Sequence, residues 1–139
     1  MVIEKSSRGA AFGDYDNDGD IDVLVINMDD RPTLLRNDTA SGNHWLTIRT
    51  VGTKSNRDGI GARIRLTAGG RTRMAEVRSG GSYLSHNDSR AHFGLGKAGR
   101  VDTIEIRWPS GRIETAAGLQ VDRFYVAREG QGVRPIAVR

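Results

Sequence analysis

Ala62, Ile64 and Leu66 alternate with Arg63, Arg65 and Thr67, a period that buries one face of a strand and leaves the other in water. Ile104, Ile106 and Trp108 repeat it. Elsewhere, short β-branched runs are separated by clusters of Gly, Asn, Asp and Ser, and helical periodicity is hard to find. The pattern predicts an all-β chain. Strands are expected near Gly9–Phe12, Ile21–Ile26, Thr33–Arg36, His44–Val51, Ala62–Thr67, Thr72–Val77, Val101–Arg107, Arg112–Thr115 and Arg123–Arg128. Ala68-Gly69-Gly70 supplies a tight turn between two of them. Pro109-Ser110-Gly111 ends another, because proline cannot donate to a ladder.

With 139 residues the chain can bury a core without staples, and having no cysteine it can form neither disulfides nor thiolate metal sites. Its charge is divided unevenly. Residues 1–40 carry nine acidic and four basic side chains, whereas residues 41–139 carry eight and seventeen. The basic part would suit a polyanion such as acidic polysaccharide. Its arginines are spread along strands without interleaved aromatics, so a solvated basic face is expected and a nucleic-acid partner is not. No apolar run approaches a membrane span. Met1-Val2-Ile3-Glu4-Lys5 lacks the basic-then-apolar layout of a signal peptide, so any export address is expected to lie outside the chain or to have been removed.

The most chemical stretch is Asp14-Tyr15-Asp16-Asn17-Asp18-Gly19-Asp20-Ile21-Asp22. Carboxylates stand at loop positions one, three, five and nine, where a tightly coiled loop turns alternate side chains toward one centre. Gly19 at position six permits the sharp turn, and Asp20 at position seven would offer its backbone carbonyl. Hard oxygens in this number suit Ca2+ better than Mg2+, which keeps more of its water. Asp14, Asp16, Asp18, Asp20 and Asp22 are therefore the expected calcium ligands. An EF-hand would need a bidentate Glu at position twelve, where this chain has Val25. It would also need flanking helices, so the expected setting is strand–loop–strand. Five aspartates in nine residues would repel strongly without a cation.

Ala11-Phe12-Gly13, the Asp loop and Val23–Ile26 together resemble the FG-GAP/VCBS repeat, a calcium-binding β-propeller blade. Five later stretches resemble the ASPIC/UnbV domain, found downstream of such propellers in the cartilage acidic protein-like family. They are Gly42–Leu46, Gly52–Arg63, Ser79–Ser85, His92–Gly96 and Trp108–Gly111. The resemblance implies a propeller-blade-like calcium-binding unit over residues 1–41, joined to a compact antiparallel β-sandwich or barrel over 42–139. It implies an extracellular, non-enzymatic module for adhesion or structure, with calcium ligation as the role of the five aspartates. A propeller needs several blades, and a lone blade exposes strand edges. Pairing of those edges with a protein partner or another copy is expected. A carbohydrate-binding module of a larger secreted protein is the alternative.

Other residues read as structural. His44, His86 and His92 fit no zinc spacing, and His92 is expected in a turn. Ser79-Gly80-Gly81-Ser82 lacks the ending of a phosphate loop, and Ser110 is not in a nucleophile elbow. Asn56 and Asp58 could hold a second cation, but local hydrogen bonds are the favoured reading. Trp45, Tyr83 and Trp108 are expected mainly in packing, with Tyr83 the most exposed.

Overall fold

The computed structural model describes residues 4–137; Met1–Ile3, part of the stretch read above for a leader, lie outside them. Eleven strands form three sheets among the described residues. Contacts divide the chain into two compact units. One holds the residues up to Ala40 together with Ser79–Asp88, and the other holds Ser41–Arg78 together with the chain from Ser89 onward. The excursion Ser79–Asp88 thus packs with residues more than forty positions away.

In the first unit β1 (Ser7–Gly13), β2 (Asp22–Asn27) and β3 (Thr33–Leu35) form an antiparallel sheet in that order. Both strands of the β1–β2 hairpin find partners within the chain. The inner edge of β2 meets β3, and the outer edge of β1 is capped at Phe12, whose N–H donates to Asn87 Oδ1 at 3.0 Å and whose carbonyl accepts from Asp88 N–H at 2.9 Å. Phe12, Leu24, Ile26, Leu34 and Leu35 remain substantially exposed in this unit.

The second unit is a two-layer sandwich. One layer runs β11 (Gly132–Ile136), β10 (Arg123–Arg128), β4 (His44–Val51), β7 (Ala91–Gly96). The other runs β6 (Arg71–Glu76), β5 (Arg63–Ala68), β8 (Arg100–Arg107), β9 (Ile113–Gln120). All pairings are antiparallel except β4–β10, which is parallel with Ile48 opposite Tyr125. Leu46 and Ile48 from one layer and Ile64, Leu66, Ile104 and Ile106 from the other are fully buried in one core. Each such side chain contributes roughly 1.5–3 kcal/mol through its burial. The alternation read at Ile64 and Leu66 is the inward face of β5, while Arg63 and Arg65 stay exposed.

Three readings change. His92 lies within β7 rather than in a turn, because Ala91, Phe93 and Leu95 alternate inward despite the glycines between them. Residues 132–136, not expected as a strand, pair with β10 at the edge of their sheet, where Pro135 is tolerated opposite Tyr125. Trp108 falls one residue beyond β8 and is buried.

Candidate functional site

The Asp loop runs from the end of β1 to the start of β2. Asn17 (φ 62°) and Gly19 (φ 98°) take left-handed backbone, which coils the loop tightly enough to bring alternate side chains to one side. Asp14, only 3% exposed, accepts from Asp18 N–H at 3.1 Å through Oδ1 and from Gly19 N–H at 3.0 Å through Oδ2. Asp18 Oδ1 accepts from Asp20 N–H at 2.8 Å. Asp22, buried at the first position of β2, accepts from Tyr15 N–H at 3.1 Å and Asn37 N–H at 2.8 Å. Asp14 and Asp22 therefore hold the backbone from the loop's two ends.

Asp14, Asp16 and Asp18 each bring a carboxylate oxygen within 4.8 Å of the other two. Asp14 is buried at the base of this cluster, and Asp16 and Asp18 are exposed at its mouth. Asp20 and Asp22 are outside the cluster. Asp22 spends one interaction per oxygen on the backbone, and the Asp20 side chain is partly exposed. Arg36 Nη1 stands 3.7 Å from Asp16, the one cationic side chain that reaches the cluster among the described ion pairs. Carboxylate oxygens retain a second lone pair after accepting an N–H, so the donor set fits a hard cation such as calcium. Asp14, Asp16 and Asp18 would hold the ion through side chains, and calcium would supply charge neutralisation rather than chemistry.

A second constellation escaped the sequence. Glu129, just past β10, is 2% exposed. Its Oε2 accepts three backbone N–H groups, from Thr53, Lys54 and Ser55, each at 2.8 Å. Its Oε1 accepts the hydroxyls of Ser55, at 3.1 Å, and Ser110. Burial of this carboxyl opposes its ionisation, but the hydrogen bonds from Ser110, Ser55, Thr53 and Lys54 outweigh burial and hold its pKa well below the ordinary carboxylate range. Beside it, Glu114 accepts Trp108 Nε1–H at 2.8 Å, Arg112 Nε–H at 3.0 Å and Gly130 N–H at 2.8 Å. A lone Glu between Arg128 and Gly130 carries no local sign of this role.

The remaining candidates have structural partners. Asn56 both donates to Ile60 O at 2.7 Å and accepts from Ile60 N–H at 2.8 Å, so its amide is committed to closing its own loop. His44 Nδ1 lies 2.7 Å from Asp122 Oδ2, and His92 Nδ1 lies 2.9 Å from Thr47 Oγ1. His86 contacts the carbonyl of Asn87. Trp108 is withdrawn into the core, Trp45 stacks on His92 at 6.0 Å between ring centroids, and Tyr83 is exposed. No helix among the described residues is long and apolar enough to cross a membrane.

Cartilage acidic protein 1 of Xenopus tropicalis is 30% identical over 111 residues, which is 77% of this chain and 17% of that protein. The Homo sapiens protein of the same name is 27% identical over 114 residues, 79% of this chain and again 17% of the relative. This chain therefore spans about a sixth of the curated relatives it matches. Residues 52–134 match the family described as ASPIC and UnbV. That span contains the Thr53–Ser55 amides, Trp108, Ser110 and Glu129, and the chain belongs to the ASPIC and UnbV family.

Proposed function

We propose that this chain is a non-enzymatic, calcium-braced structural or adhesion module of an extracellular protein. Its first unit would be an FG-GAP/VCBS-type calcium hairpin and its second the ASPIC/UnbV sandwich. The observation that carries the reading is the convergence of Asp14, Asp16 and Asp18 within 4.8 Å on a loop held at both ends by Asp14 and Asp22. Three carboxylates this close disfavour the ordered loop until a cation neutralises them, so binding and ordering are coupled. Two of the three are exposed, which suits the weaker sites of extracellular modules, with dissociation constants on the order of 10⁻⁴–10⁻³ M. The relatives' name, cartilage acidic protein, supports that setting. The exposed Leu24, Ile26, Leu34 and Leu35 of the small sheet support a protein partner or self-association there.

Thermal unfolding of chelator-treated protein, repeated with added calcium, tests the ion. The midpoint should rise with calcium in the parent, and Asp18→Ala should lose most of that rise. An unchanged midpoint in the parent would remove calcium from the reading. Sedimentation at increasing concentration tests association, and a monomer throughout would leave only a different protein as the partner.

A further inference from the structure

We propose that a cleft at the open edge of the sandwich, built by Arg71, Arg73 and Lys97, binds a single oxyanion group: a sulfate or carboxylate. The proposal is independent of the Asp loop and would stand if that loop took no calcium.

The sheet register places the two arginines. β6 is the edge strand of its sheet, and Arg73 pairs with Leu66 and Arg71 with Ala68. Leu66 and Ala68 are buried in the core, so alternation sends both guanidinium groups to the inner side of the sheet rather than to its wet outer face. With no strand beyond β6 in its sheet, Arg71 and Arg73 line an open cleft of about 500 Å³ at that edge. Its opposite wall comes from the end of β7 and the turn after it, with Lys97 and Ala98. Asn43 also lines it. Lys97 is fixed in place, its Nζ donating to Gly42 O at 2.8 Å and Ser41 O at 3.4 Å. Its charge is thereby held near these carbonyls.

No carboxylate lines this cleft among the described residues. Arg73 Nη1 is buried without a hydrogen-bond partner, alone among the buried side-chain nitrogens and oxygens described. A charged donor withdrawn from water and left unmatched is costly, and three cations facing one cleft compound the cost through mutual repulsion. One ligand relieves both terms: an anion with several acceptor oxygens, since guanidinium forks pair with such groups in bidentate geometry. Apolar ligands would leave Arg73 unmatched, and cations would be repelled. An inward-facing charge on an edge strand can also serve to discourage sheet-to-sheet pairing. That purpose would be met by one arginine and does not account for the convergence of Lys97 from the facing wall.

Two sources carry this chemistry, a free inorganic anion and an acidic polysaccharide chain. The test titrates the full chain, in chelator, with sodium sulfate against sodium chloride at matched ionic strength, and separately with a sulfated, uronate-containing hexasaccharide. Calorimetry gives affinity, and amide shifts near Gly69 and Lys97 give location. Saturable binding at one site is expected, weakened roughly tenfold or more by Arg73→Gln and by Arg71→Gln. Arg65→Gln, which removes the same charge from the outer face of the neighbouring strand, should change affinity less than twofold. Because Arg71 is exposed, its variant tests the site even if Arg73→Gln folds poorly. Tighter binding of the hexasaccharide than of sulfate assigns the site to a sugar chain; equal binding assigns it to the free anion. Equal losses for Arg65→Gln and the two cleft variants would show only net charge at work and overturn the proposal, as would sulfate behaving like chloride.

Discussion

Replacing Asp16 by Asn tests the calcium reading where its two consequences have opposite signs. Asp16, Asp14 and Asp18 each place an oxygen within 4.8 Å of the others. Like charges about 5 Å apart repel by about 1 kcal/mol in water-like surroundings, and more as the dielectric falls. A neutral amide at this position would relieve the two repulsions that involve Asp16. It would also remove the 3.7 Å pairing with Arg36, whose guanidinium side chain is 52% exposed, and an exposed pair of this kind is worth at most about 1 kcal/mol. In chelator the variant should therefore match the parent or exceed it by about 1 kcal/mol. With calcium at a hundred times its dissociation constant, the parent gains about 2.7 kcal/mol. A variant that binds a hundredfold more weakly gains about 0.4 kcal/mol. With calcium the parent therefore becomes the more stable of the two by at least about 1 kcal/mol. Scanning calorimetry in chelator and at rising calcium measures both arms. A variant less stable than the parent in chelator would show that the carboxylates do not strain the loop. One that kept the full calcium shift would show that Asp16 is not a ligand.

Glu129 predicts an acid limit. Its folded pKa lies below its ordinary 4.5, so at acidic pH the unfolded chain binds a proton that the folded chain refuses. Its contribution is complete above about pH 5 and is lost as pH falls toward the folded value; urea midpoints measured from pH 6 to 3 should decline in the parent and decline less in Glu129→Gln. That variant should also be less stable at pH 7, because an amide NH2 cannot accept from the groups that surround one of the two oxygens. Gly59→Ala should cost about 2–4 kcal/mol, since Gly59 has φ +68° and an added Cβ would stand 2.7 Å from Thr50 and 3.2 Å from Trp108. Gly70→Ala has a similar φ of +72° with nothing within 4 Å, so it should cost only about 1–2 kcal/mol; equal losses in chemical denaturation would remove the packing argument.

What the sequence revealed depended on how local each cause was. The edges of β4 and β10 fall where the pattern placed them, because β-branched runs bounded by turn formers carry that information within a few residues. The coil of the Asp loop between β1 and β2 was legible in nine positions, but the convergence of only Asp14, Asp16 and Asp18 out of five aspartates was not. β7 was obscured because Gly94 and Gly96, on either side of inward-facing Leu95, imitate turn signals. β11 was obscured because Pro135 reads as a breaker, and only its edge position makes it acceptable. The parallel pairing of β4 with β10 joins segments more than seventy residues apart, and no local periodicity encodes it. Glu129 is the extreme case: its partners lie 19 to 76 residues away, and its role exists only after the sandwich has formed.

The same distinction separates frame from recognition. Two stretches that carry the family likeness, Gly52–Arg63 and Trp108–Gly111, converge on one end of the sandwich. There the amides of residues 53–55 and the Ser110 hydroxyl meet Glu129, while the Trp108 indole meets Glu114. The donors and acceptors of this cluster are matched to one another, so binding a ligand there would first require breaking bonds that the fold already makes, at roughly 1–3 kcal/mol for each buried group left unmatched. A third stretch, Ser79–Ser85, falls in the first unit and closes on itself, with the Ser85 hydroxyl donating to Tyr83 O at 2.8 Å. These motifs therefore specify how the module is built. Groups able to recognise something else must carry charge that the frame does not balance, and two places among the described residues stand out. The Asp loop gathers three carboxylates within 4.8 Å of one another, and the β6–β7 edge has the unmatched Arg73 guanidinium nitrogen. One has the charge to hold a cation and the other an anion, so a relative could keep the frame intact and change its ligand at either place.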